Sequence, residues 1–451
     1  LVLGISESGK FFALDSPSLD VHFLVDGKTR QGKSTLLASV VWQDIHRSDC
    51  SVILLDPHAS LVDKLLSAGV AELAGERLVL LVADQDHIPG FNLLQPLQGE
   101  SPKECALRLV ECAMALWFQG QVAEAQRFQN YTFHAAWALA ETGFTVLEIE
   151  PLLRFRPFRQ RILSEVSDPQ LQAWLRELDS EKGERIRELT ESTVNRFRAF
   201  TRGLTSLIFG QPRSTFDLQG ILDRGGVLLI AFPEGLMGEA GVYLSFGVIL
   251  SMVDALLARR KKDSPFHSNP RLRLVADEAQ AYPVPSLRRL LAERAGYGLS
   301  LLLAFQGLHQ LDDWRLKSFI LNNVSVRAVF SCSAEEAKLM AQEIFRPDPH
   351  LVKYQWGRNI TFYSHMEQMA FWTNEVQNLP SHHFFAHVSG REPELCRTIM
   401  LPVRLNEEEV DKVKAKLARK VGRSRAEVEK ELRQRLSGIY EGEKGGEDGW
   451  I

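Results

Sequence analysis

The sequence predicts an α/β fold: a parallel-rich sheet with helices on both faces, interrupted by an all-helical insertion and followed by a helical C-terminal tail. Three observations predict it. Short, continuous apolar runs bounded by Gly, Asp or Pro recur at 21–27, 51–56, 77–84, 226–232, 271–277 and 299–305, as strands buried on both faces of a parallel sheet do. Helical patterns at 34–46, 240–262, 285–295 and 334–344 lie between most of them, and that alternation gives an open sheet covered on both sides. Residues 101–205 break the rhythm, with helical spacing and almost no β-branched runs.

The expected organisation is therefore 1–100 as the first part of the core, 101–205 as the helical insertion, 206–402 as the second part of the core, and 403–451 as a charged helical tail. The last stretch, "GEKGGEDGW", is expected to be loose. A chain of 451 residues with 45% hydrophobic and 24% charged residues can bury a large core. Its net charge of -4 excludes a globally basic nucleic-acid coat, so any nucleic-acid contact must be a local groove or pore.

The five cysteines are scattered, without a C-x-x-C pair, which fits reduced thiols in a cytoplasmic protein. Lys10 and Asp15 interrupt the stretch where a signal peptide needs an apolar run. The longest apolar stretch, 242–258, contains Asp254 and reads as a buried core helix. The chain begins at Leu1 and not Met, which leaves room for a preceding native segment.

The stretch "GKTRQGKST" (27–35) satisfies G-x-x-x-x-G-K-[ST], between an apolar run and a helical pattern. That strand, loop, helix order is what a phosphate-binding loop requires. Gly27 and Gly32 let the backbone curl so that amides of Thr29, Arg30, Gln31, Gly32 and Lys33 face phosphate oxygens, aided by the helix dipole. Lys33 is placed to reach the β and γ phosphates of ATP and Ser34 to ligate Mg²⁺, with Thr35 completing the nucleotide-binding set.

A second apolar run ends in Asp277 and Glu278. At the carboxyl end of a central strand Asp277 can join the Mg²⁺ shell, and Glu278 can polarise the attacking water. A third, "LLLAFQ" (301–306), ends in Gln306, an amide able to touch the γ phosphate or that water. Alone, the acid pair reads as an N-cap and a solvated acid, and Gln306 as a strand-end turn residue; the phosphate loop reverses the reading of the acid pair.

Set beside "LLDPHASLVDKLL" (54–66), "GFNLLQP" (90–96), "FGQPRSTFDLQGILDRGGVLLIAFPEG" (209–235) and "LNNVSVRAVFSCSAEEAKLMAQEIF" (321–345), these elements make the chain resemble the FtsK and HerA superfamily of DNA-pumping ATPases, including conjugative coupling proteins. The similarity spans about residues 4–402. It implies a RecA-like P-loop core, ATP and Mg²⁺ as cofactors, a hexameric ring of identical subunits, and double-stranded DNA as the partner. It implies further partners, a nuclease or a membrane-bound DNA-transfer complex, and a cytoplasmic location that includes recruitment to the inner face of the membrane.

The chain departs from the family in three places. Ala59 replaces the glycine of D-P-H-G, and the segment before the phosphate loop is too short for a HerA-type barrel or for membrane helices. The arginine that the family supplies to the neighbouring subunit's ATP falls one residue early, at Arg294, leaving Arg327 and Arg198 as alternatives.

Rival readings remain at this level: a soluble coupling ATPase acting on single-stranded DNA or protein, and a nucleotide-dependent scaffold that does not translocate. A small-molecule P-loop kinase is disfavoured by the long insertion and tail. The basic stretch 258–273 suits either a solvated helix end or a DNA-contacting loop. "PSHHFF" (380–385) brings His382 and His383 together without an acid or thiol at metal spacing.

Overall fold

The computed structural model describes residues 1–15, 21–47, 49–82, 86–118, 122–260, 270–282, 284–311, 313–356 and 359–440. The lysine-rich part of the basic stretch (261–269) and "GEKGGEDGW" lie outside the described residues. The chain forms two compact units. The first comprises Leu1–Leu78, Ile221–Ile230 and Arg260–Val410, and the second Val79–Gly220, Ala231–Arg259 and Asp411–Ile451.

In the first unit the strands are β1 (Val2–Ser6), β2 (Phe11–Ala13), β3 (His22–Asp26), β4 (Cys50–Asp56), β5 (Val227–Ala231), β6 (Arg271–Ala276), β7 (Leu299–Phe305), β8 (Val324–Val329), β9 (Val352–Trp356), β10 (Asn359–Phe362), β11 (His383–Val388) and β12 (Glu394–Thr398). All but β9 and β10, which form a separate hairpin, lie consecutively in one eleven-stranded sheet, in the order β2-β1-β12-β11-β8-β3-β7-β6-β4-β5, with Leu78–Val82 as its last strand. From β8 through β3, β7 and β6 to β4 every pairing is parallel. Every residue of β3, β4 and β7 is buried, the signature of a sheet covered on both faces. The edge from β8 through β11, β12 and β1 to β2 is antiparallel, and its short, mixed strands gave no clear signal in the sequence.

Register aligns the ends that matter. Asp26 at the end of β3 pairs with Phe305 of β7 and Val329 of β8, while Leu55 pairs with Ala276. Residues just past these strands therefore emerge on one rim of the sheet. β7, which Gln306 directly follows, runs between the phosphate-loop strand β3 and the acid-pair strand β6.

Two helices brace that rim, α1 (Lys33–Ile45) and α2 (Ser60–Ser67). The far end of α1 is held by buried Asp44, whose carboxylate accepts from the Arg273 guanidinium at 2.9 Å. That guanidinium also lies 4.4 Å from the centre of the Phe23 ring. Arg273 belongs to the basic stretch read as solvated or DNA-contacting, and the structure corrects that reading for this residue: it is a core ion pair, 2% exposed.

The second unit is mostly helical. Its first long helix, Pro102–Trp117, starts in a capping box formed by Ser101 and Glu104, which satisfies amides that a helix start leaves open. Trp117, Phe128, Phe197, Phe200 and Phe209 pack as an aromatic cluster. The apolar helix Glu239–Ala258 is long enough to cross a membrane, yet 78% of its most apolar window is buried inside the unit. The tail helix Arg425–Tyr440 is tied down by Arg435, which donates to buried Glu148 at 2.9 Å and to the Gly210 carbonyl at 2.5 Å.

Candidate nucleotide-binding site

The chain leaves β3 at Asp26 and curls back toward α1. Gly27 adopts φ 151°, Arg30 φ 61° and Gly32 φ 114°. Close approach explains the two glycines: a Cβ on Gly27 would lie 2.5 Å from the Phe330 Cβ, and one on Gly32 would lie 2.9 Å from Nδ1 of His382. The Lys28 amide donates to the Ser331 carbonyl at 2.8 Å. Lys33 opens α1, and its ammonium donates back to the carbonyls of Gly27 and Lys28. Its pKa is lowered by burial, against the opposing pull of Glu278, Asp277 and Asp26.

Ser34, on the first turn of α1, is half-buried, whereas Thr35 is buried. The Thr35 hydroxyl accepts from the Lys64 ammonium of α2 at 3.2 Å. Burial lowers the Lys64 pKa while Asp277 pulls it upward, so a second cation stands by the loop that the sequence reading did not single out.

On the opposite side of β7 the two acids differ in environment. Asp277 is 4% exposed. Burial, then the carboxylates of Asp56 and Glu278, push its pKa up to about 7, with Lys33 opposing. Asp56 is itself pushed up by burial and is held by amides of His58, Leu61 and Val62 at 2.8–2.9 Å. The Leu61 and Val62 amides lie in the first turn of α2, and Ala59, between them and His58, sits at φ 63°. The lost family glycine thus falls on a backbone position that glycine suits.

Glu278 is left-handed at φ 54°. Its carboxylate accepts from the Gln306 amide at 2.7 Å and from the Gln280 amide at 2.6 Å. The structure therefore brings together Glu278 and Gln306, two residues of separate strands that the sequence had suggested separately. Tyr282 fixes the turn, donating to the carbonyls of Leu55 and Asp277 at 3.1 and 2.6 Å.

The three candidate arginines are held by other contacts. Arg294 is 7% exposed, lies over the Tyr297 ring and pairs with Glu293 at 3.7 Å. Its carbonyl accepts from the amide of Leu299, where β7 begins, so it sits at the sheet end opposite Gln306, ~20 Å away by strand rise. Arg327 lies within β8, is 6% exposed and donates to the Leu321 carbonyl and Glu343. Arg198, in the second unit, is exposed and forked onto Glu150 at 2.5 and 3.0 Å.

Sequence reasoning gave no role to the turn at Ser381 and His382. The Ser381 hydroxyl donates to the Arg30 carbonyl at 2.9 Å and the His382 amide to the Gln31 carbonyl at 2.7 Å. These contacts join residues some 350 apart in sequence, a separation that no local pattern reveals.

Residues 271–344 match the family model described as the TraM recognition site of TraD and TraG; in this chain they carry Asp277, Glu278 and Gln306. No curated protein matches the chain in sequence. The bacterial conjugative coupling protein TrwBdeltaN70 superposes over 90% of this chain and 91% of its own with a TM-score of 0.61 at 16% identity. The chain thus has the fold of this conjugative coupling protein.

Two further structures share this fold. Plasmid coupling protein TrwB in complex with ADP and Mg²⁺ covers 90% of this chain and 92% of its own, with a TM-score of 0.58 at 15% identity. VirB4 of Thermoanaerobacter pseudethanolicus covers 90% and 98%, with a TM-score of 0.58 at 14% identity. The mostly parallel RecA-like P-loop core read from the sequence is thus the core observed.

Proposed function

We propose that this chain is an ATPase that assembles as a ring, a hexamer, and drives double-stranded DNA through its centre, in the transfer of DNA from a mobile element. The observation that carries the proposal is the hydrogen bond between Glu278 and Gln306 at the rim that also bears the phosphate loop. It couples the residue suited to polarise water with the residue suited to sense the γ phosphate. That coupling proteins are among the structures sharing the fold favours transfer over end processing with a nuclease.

The residues fit a magnesium nucleotide. Gly27 and Gly32 shape a loop that side chains would fill, and Lys33 lies over its carbonyls. Ser34 and Asp277 would hold Mg²⁺, which supplies charge neutralisation at the β and γ phosphates. Lys33 clamps the phosphates, Glu278 orients and polarises water, and Gln306 fixes the Glu278 carboxylate while reporting on the γ position. An arginine from a neighbouring subunit would complete the site; Arg294, at the far end of β7 from its own phosphate loop, is too distant to act on that loop in cis.

A ring also accommodates the net charge of -4, because a few pore residues repeated by symmetry suffice to contact phosphate. The test is ATP turnover with and without duplex DNA across a salt range. DNA should stimulate turnover, and the stimulation should weaken steeply between about 50 and 200 mM salt as counterion release loses its drive. Turnover indifferent to nucleic acid would favour the non-translocating scaffold. Stimulation by single-stranded DNA alone would favour the single-strand coupling ATPase.

A further inference from the structure

We infer that Ser381 and His382 are positioning residues that set the direction of the phosphate-binding amides. The inference rests on the nucleotide reading of the loop and assigns a role to a turn outside every motif of the site.

The argument starts from peptide geometry. In a planar trans peptide the carbonyl and the following N–H point in opposite directions, and no cis peptide is present among the described residues. The Arg30 carbonyl accepts from the Ser381 hydroxyl at 2.9 Å, so the Gln31 N–H is turned away from Ser381. The Gln31 carbonyl accepts from the His382 amide at 2.7 Å, so the Gly32 N–H is turned away from the same turn. Two successive amides in the middle of the phosphate loop are thus aimed together by one external element.

The His382 ring adds a steric stop. Its Nδ1 lies 2.9 Å from where a Gly32 Cβ would stand, so it packs against the bare glycine and restricts rotation of the adjoining peptides. His382 itself adopts φ 66°, uncommon for a residue with a side chain. Thr398 of β12 holds it there: the Thr398 amide donates to the His382 carbonyl at 2.9 Å, and the Thr398 hydroxyl lies 3.2 Å from Nδ1. A strained conformation fixed by its surroundings and pressed onto a ligand loop is the pattern of a preorganised site.

The same side of the loop is fixed at its start. Lys28 donates to the Ser331 carbonyl at 2.8 Å, and the Ser331 hydroxyl donates to the Gln377 carbonyl at 2.7 Å. Gln377 ends the helix His365–Gln377, four residues before Ser381. One short segment, 377–382, therefore holds both the entry and the middle of the loop.

The test is isothermal titration of the full chain with ADP and Mg²⁺, paired with thermal unfolding of the ligand-free protein. Ser381→Ala should weaken ADP binding about three- to tenfold, the range of one lost hydrogen bond. His382→Gly removes the ring while relieving the left-handed backbone, so ADP affinity should fall about tenfold with the unfolding temperature unchanged or raised. His382→Asn tolerates positive φ and keeps a polar group near Thr398, so it should recover most of the affinity. In ATP turnover the losses should appear in KM more than in kcat.

Wild-type binding with all three variants unchanged would overturn the positioning role and leave the nucleotide reading intact. Affinity losses that track falling unfolding temperatures would also overturn it, since they would mark a structural role alone. Failure of the wild type to bind ADP and Mg²⁺ would overturn both.

Discussion

Asp277→Asn should abolish a proton release that accompanies binding of the magnesium nucleotide. In the ligand-free protein, burial together with Asp56 and Glu278 raises the Asp277 pKa from 3.8 to about 7. A carboxylate that accepts a dication must first give up its proton. The wild type should therefore release about 0.9 proton from this group at pH 6, about 0.5 at pH 7 and about 0.1 at pH 8. Isothermal titration with ADP and Mg²⁺ in buffers of different ionisation enthalpy measures the release, and subtracting Asp277→Asn removes the nucleotide's own contribution.

The sign carries over to stability. A raised folded pKa means that the folded state binds more protons than the unfolded state between about pH 4 and 7, so this group's contribution falls as pH rises through that window. Asp277→Asn should lack that decline. Equal proton release by wild type and variant at pH 6–7 would refute the assignment of Asp277 to the metal shell.

Lys33→Ala should reduce ATP hydrolysis by about 10²–10³-fold or more through loss of the phosphate clamp, whereas Glu278→Gln should retain ATP binding and stop turnover; equilibrium binding beside steady-state rates separates the two. Ala59→Gly should stabilise the protein by about 0.5–1 kcal/mol in urea unfolding, because the left-handed penalty of about 1–2 kcal/mol exceeds the extra chain entropy of glycine; a destabilised variant would show that Ala59 is not strained. Mixing Arg294→Ala with Lys33→Ala subunits should restore hydrolysis where an intact loop meets an intact Arg294. No recovery in rings shown to be mixed, or full activity of Arg294→Ala alone, would pass the trans role to Arg198 or Arg327.

The parallel core was legible because burial on both faces leaves an unbroken apolar run in each strand. All six strands expected from such runs are present: β3, β4, β5, β6 and β7, and Leu78–Val82 for the run at 77–84. The gathering of Gly27, Lys33, Asp277, Glu278 and Gln306 at one rim was legible because a phosphate-binding reading expects a loop and acids beyond the ends of neighbouring parallel strands. The antiparallel edge was not, since β1, β2, β11 and β12 are short and half-exposed in part, and their pairings join the two ends of the chain. Arg273 misled for a related reason: a charge beside a basic linker reads as solvated, and only the fold reveals Asp44 beneath it. Ser381 and His382 carry no signature because their partners are backbone carbonyls, which every sequence possesses.

ATP-dependent displacement of a third strand from a duplex tests the central claim most directly, because it reports movement along DNA and not merely hydrolysis. Wild-type protein should displace the third strand only when ATP is present, and Glu278→Gln should bind ATP and DNA yet displace nothing. Wild-type protein that hydrolyses ATP at a rate unaffected by DNA and leaves the triplex intact would contradict the motor and mark the chain as a nucleotide-dependent scaffold.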